Sequence, residues 1–116
     1  ALVQLAIDNA VEGCVREAYG AVVAAAQAAS ASDTQVRATF SAIAREEAEH
    51  ALLSLDLDAW AGSRLSPRDR RRVAAERDEA SMRFAKELEA EPTPGVRSLL
   101  GLPDATRAQD LLRAIA

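Results

Sequence analysis

Apolar residues recur at helical spacing along most of the chain, and the recurrence breaks at 30–33, 62–66 and 92–94. Leu5, Ile7, Val11, Val15, Ala18, Tyr19 and Val22 predict a first helix over about 2–29 with one broad apolar face. Ser32 or Asp33 can cap a second, with Gln35 three residues after Ser32 in a capping-box arrangement, and that helix is expected to reach Ala61 before Gly62 stops it. Two long helices joined by a loop of a few residues form an antiparallel hairpin. Ser66 as N-cap and Pro67 at the first helical position announce a third helix, expected to end near Ala90 ahead of Pro92 and Pro94. Its apolar face is thin, with Val73, Ala80, Phe84 and Leu88. It should lie on the outside of the hairpin. Asp104 then caps a last amphipathic segment carrying Leu111, Leu112 and Ile115.

The second helix carries the most informative residues. At about 100° per residue, Val36, Phe40, Ile43, Glu47, His50, Ser54 and Leu57 share one side, which places a carboxylate and an imidazole in the middle of an apolar stripe. Burying such groups is costly unless something compensates. The spacing Glu-x-x-His sets the two one turn apart, as helices do when they offer paired ligands to carboxylate-bridged metals. Glu46 and Glu49 point to the flank and back.

If the hairpin turns near residue 31 or 32, Glu12 stands level with His50 to within about a residue, by the constant rise of the α-helix. Glu12 is then the third candidate ligand. Glu17, about 140° round the helix from Glu12 at 100° per residue, is expected in solvent. Asp8, one turn before Glu12, and Asp58, on the inner side of the second helix, could orient a ligand from behind. Gly13 and Gly20 lie on one side next to Glu12, where a close neighbour would explain two glycines inside a helix.

Composition narrows the reading. A formal charge of −4 and abundant alanine describe an acidic, mostly helical chain, so a polyanionic nucleic acid is not an expected partner. No apolar run approaches the ~20 residues that span a bilayer, and no targeting segment is recognisable. The chain opens and closes in mid-pattern, as though sequence were missing on both sides. Cys14, the one cysteine, cannot form an internal disulfide and is expected to be a small core residue. Trp60 is expected to anchor the hairpin to the third helix, with Met82 and Phe84 as packing residues.

Glu12 in VEGCVREAYG, followed 35 positions later by Glu47-x-x-His50, resembles one half of a ferritin-like, rubrerythrin-type di-iron domain. The resemblance covers about residues 1–62. The longer stretch with LSPRDRRR and LLGLPDATRAQDLL is similar to the second half of uncharacterised alanine-rich bacterial ferritin-like proteins. It implies an all-α fold in which 1–62 is half of a four-helix bundle and 63–116 a helical extension packed on it. It also implies metal ligation by Glu12, Glu47 and His50, with Tyr19 beside the metal. Two iron ions per completed bundle would be held, manganese being possible, and oxidase or ferroxidase-like turnover would follow. The departure is that a full site needs two such ligand sets and this chain has one. The other set is expected from a second copy in a homodimer or from a companion hairpin. The competing reading is a metal-free helical dimerisation module in which Glu47 and His50 form a buried polar network.

Overall fold

The computed structural model describes residues 1–115, and every element among them is helical. Helix α1 (Leu2–Asp8), a π-helical segment (Asn9–Glu17) and α2 (Ala18–Ser30) run on without a break, since the residues at both junctions keep right-handed helical backbone angles. The expected first helix is therefore present, but its middle is not α-helical. After a tight turn, α3 (Thr34–Arg64) returns antiparallel along the whole rod. At 1.5 Å per residue its 31 residues span about 46 Å, close to the 49 Å length of the molecule.

The caps explain the boundaries. Asp33 accepts hydrogen bonds from the backbone N–H groups of Gln35 and Val36, at 2.9 and 3.0 Å, so it rather than Ser32 starts α3. Gly62 does not stop that helix, which continues to Arg64 and ends where Leu65 turns extended ahead of Ser66 and Pro67. Ser66 Oγ accepts from Asp69 N at 3.1 Å and opens α4 (Pro67–Glu87), which stops a turn earlier than expected. Helix α5 (Pro94–Leu100) closes on Gly101 in the left-handed conformation (φ 67°), and α6 (Ala105–Ile115) begins with Asp104 Oδ1 accepting from Arg107 N.

Two apolar clusters bind hairpin and extension together. One gathers Ala6, Ile7, Ala10, Ala61, Leu65 and Val73, so that α1, the end of α3 and α4 share a core. The other joins Val15 and Tyr19 to Phe84 of α4 and to Ala108 and Leu112 of α6, with the Tyr19 and Phe84 rings 5.0 Å apart. Phe84 and Cys14 are core residues as expected. Met82 and Trp60 are not. Met82 is exposed, and Trp60 lies open at the surface with the Arg64 guanidinium 4.6 Å above its ring instead of bridging to α4.

Helix α3 turns most of its expected face inward, with Ser54 buried and Val36, Phe40, Glu47 and Leu57 half-buried, and the difference from the sequence expectation is that Ile43 and His50 are exposed. On α3 only Ser54 and Ala61 are buried; Val36, Arg37, Leu57 and Gly62 are partly so, and a line through both buried residues takes in the partly buried Phe40, Ala44, Glu47, Ala51 and Asp58. These positions alternate by three and four, a heptad-type seam lined mainly with small residues. Small side chains let two backbones approach closely: a Cβ built on Gly13 would sit 2.3 Å from Ser54 Oγ. The bulkier stripe of Ile43, His50, Leu53 and Trp60 is turned away from the first helix and exposed.

Candidate functional site

Gly13 faces Ser54, and seven residues on, Gly20 faces Glu47, whose Oε2 lies 3.9 Å from where a Gly20 Cβ would be. This fixes the register of the hairpin. Continued to the turn it sets Ser30 level with Arg37, and Arg37 Nη1 does bond the carbonyl of Ala31 at 2.7 Å. The first turn of α3 thus overhangs the end of α2. It is met there by α5, with Ser32 N bonded to Ser98 O at 3.2 Å and Gln27 Nε2 to Leu100 O at 3.1 Å.

The overhang changes the expected constellation. Glu17, four residues beyond Gly13, stands level with His50, four residues before Ser54. Glu12 is exposed and five residues lower, about 7 Å along the axis. Glu17 is exposed, as expected, and its Oε2 also accepts from Ser54 Oγ at 3.5 Å. The π-helical segment contributes to the change of direction, because its wider turn narrows the separation of about 140° that an α-helix would put between Glu12 and Glu17.

Glu47 and His50 are in contact, with His50 Nδ1 3.7 Å from Glu47 Oε1, and their side chains are 31% and 56% exposed. No arginine or lysine among the described residues pairs with Glu47. The burial expected of His50 is not found within one chain, since it belongs to the outward stripe. Nor does the chain bring three donors together: among the described residues no group of three His, Cys, Asp or Glu side chains is placed to hold a metal ion. The Glu47–His50 pair has the donor chemistry that iron or manganese accepts, but it supplies two of the six side chains of a two-metal bundle site.

The supporting residues are otherwise engaged. Tyr19 is buried against Phe84, and burial raises its phenol above the ordinary value. Asp8 is exposed and accepts from Gln4 Nε2 at 2.9 Å. Asp58 is ion-paired with Arg77 at 2.6 Å.

Sequence reasoning missed the polar knot where the π-helical segment crosses α3. Asn9 Nδ2 donates to the Ser54 carbonyl at 2.8 Å, and the Cys14 thiol points to the same oxygen at 3.7 Å. Burial raises the Cys14 thiol above its usual range, opposed by the Arg77 charge and assisted by that of Asp58. The available signal was the run Asn9, Gly13, Cys14 of small or polar residues facing a lone serine in an alanine-lined seam.

The described chain is thus an all-α protein built on one long helical hairpin and stapled by a C-terminal extension. No known family, no curated protein and no solved structure matches it.

Proposed function

We propose that this protein is a helical pairing module whose open α3 face is covered by a second hairpin, and that the completed interface binds a transition metal, iron by preference and manganese as the alternative. The observation that supports it is the Glu47–His50 pair, in contact and without a basic partner among the described residues, with half-buried Glu47 at the rim of the seam and His50 on the exposed face with Ile43, Leu53 and Trp60. Covering that face would desolvate a carboxylate that has no cation of its own, and a bound metal is the simplest compensation. A twofold mate is the economical partner, since each copy then supplies one Glu-x-x-His set. Glu47 and His50 would be the ligands, and Glu17, level with His50, the carboxylate of the first helix nearest to them. Iron held this way supplies redox chemistry toward dioxygen or peroxide, while the helices supply spacing and exclude water.

The reading without metal is favoured by one observation, that Glu12 is exposed and no third donor joins the pair within a chain. On that reading the protein is a dimerisation module, and Glu47 and His50 form a polar network across its interface. Thermal unfolding under anaerobic ferrous iron or manganese separates the two. Metal should raise the melting temperature of the wild type by binding the folded state, and Glu47→Ala or His50→Ala should abolish the increase. A wild type unmoved by either metal would establish the metal-free module.

A further inference from the structure

At the end of the molecule away from the hairpin turn, a cavity of about 160 Å³ lies between α1, the last turns of α3 and the start of α4. Its walls are mostly apolar, with Ala6, Leu65 and Val73 among them, and three charged groups line it: Arg70, Arg77 and Asp58. The two arginines are two turns apart on α4 and share a face. Arg70 is fixed from one side, its Nη1 donating to the carbonyls of Gly62 and Leu65 at 3.1 and 2.7 Å. These bonds to neutral carbonyls leave its charge uncompensated. Arg77 gives Nη2 to Asp58 Oδ1 at 2.6 Å, while its Nε, shielded from solvent, has no acceptor among the described residues. A shielded N–H without an acceptor is costly, and such groups in folded proteins ordinarily have a partner. With two guanidiniums against one carboxylate, the cavity carries one formal positive charge in excess.

We propose that this cavity binds a small organic carboxylate. Its oxygens take the Arg77 Nε–H and the unused edge of the Arg70 guanidinium, and its short alkyl body lies against Ala6, Leu65 and Val73. Guanidiniums match the planar carboxylate in geometry. A single excess charge and apolar walls favour a monoanion with an apolar tail over phosphate, which would bring a second negative charge toward Asp58.

The test is an NMR titration of the full, ¹⁵N-labelled chain with sodium propionate, matched in ionic strength by sodium chloride, following the Nε–Hε signals of Arg77 and Arg70. We expect a saturable shift of both with propionate and none with chloride. Gly62 lines the cavity and a Cβ there would meet nothing within 4 Å, so Gly62→Leu should fill the space and weaken binding by roughly tenfold or more. Ala74→Leu, on another wall, is the second filling variant should the first disturb α3. Three results would overturn the proposal. The first is a chloride titration that reproduces the shift, and the second is inorganic phosphate saturating the site at lower concentration than propionate. The third is an Arg77 Nε–Hε signal that stays fixed at propionate concentrations well above those that shift Arg70.

Discussion

Gly13 and Ser54 are in such close contact that no other residue fits at position 13: an added Cβ would lie 2.3 Å from Ser54 Oγ and 2.6 Å from Ser54 Cβ. Around this point the π-helical segment crosses α3, Asn9 and Cys14 reach the Ser54 carbonyl, and the level of every other residue pair in the hairpin is set. Gly20, seven residues on, has only an ordinary contact with Glu47. The two glycines should therefore respond to substitution with opposite sign. Gly13→Ala is expected to destabilise by ~1–3 kcal/mol through overpacking, with recovery when Ser54→Gly is added. Gly20→Ala should stabilise by up to ~1 kcal/mol from helix propensity. Chemical denaturation of the variants checks both.

The open stripe of α3 predicts association. Leu53 is 67% exposed and Trp60 44%, and a contiguous apolar stripe of this kind marks an interaction surface. Light scattering at micromolar concentration should show a dimer for the wild type and a monomer for Leu53→Glu, with helix content unchanged by circular dichroism. A wild-type monomer with no companion chain present would count against the pairing module.

Gly101 ends α5 with φ 67°, and a Cβ there would meet Ala31 N at 2.5 Å and Gln27 O at 2.9 Å. Both the left-handed angle and the backbone contact exclude a side chain. Gly101→Ala should cost ~2 kcal/mol or more and release α5 and α6 from the hairpin turn. Hydrogen exchange should quicken at the Ser32 amide, which bonds Ser98 O.

Cys14 and Tyr19 contribute to a loss of stability at alkaline pH. Burial raises both groups, so the folded state favours their neutral forms and the unfolded chain ionises first. Their contribution is fully present below the ordinary thiol value of 9.0 and is lost as pH rises through the raised folded values. Unfolding free energy measured from pH 8 upward should fall, less steeply in Cys14→Ala, and alkylation of Cys14 should lag well behind that of a free thiol at the same pH.

The helix starts were legible because they are local, whereas α3 ran past Gly62 and α4 stopped short of Ala90. Asp33, Ser66 with Pro67, and Asp104 each satisfy backbone N–H groups two or three residues away, so a short stretch of sequence contains the whole interaction. The all-α class and the hairpin followed from these signals together with the helical spacing of apolar residues, while Phe84 as a core residue followed from that spacing and Cys14 from its being a lone cysteine. The π-helical segment, the register and the face of α3 were not legible, because they depend on contacts between residues some forty positions apart.

Two stripes on α3 compete for the first helix. Hydrophobicity alone centres the contact between Phe40, Glu47 and Ser54 on one side and Ile43, His50 and Leu57 on the other, and of the latter three only Leu57 is even half-buried. Backbone approach selects the small one with Ala44, Ala51, Ser54 and Ala61, since Gly13 and the alanines of the first helix gain more contact from near neighbours than from long side chains that hold the rods apart. That choice sets Glu17 at the level of His50, leaves Glu12 exposed, keeps Glu47 at the seam and turns His50 outward. The sequence by itself determined which residue types are available for chemistry and where each helix starts. Only the tertiary structure decided which of them share a level and a face, because the hairpin's register is set by the closest packing of two backbones and not by the pattern of either helix alone.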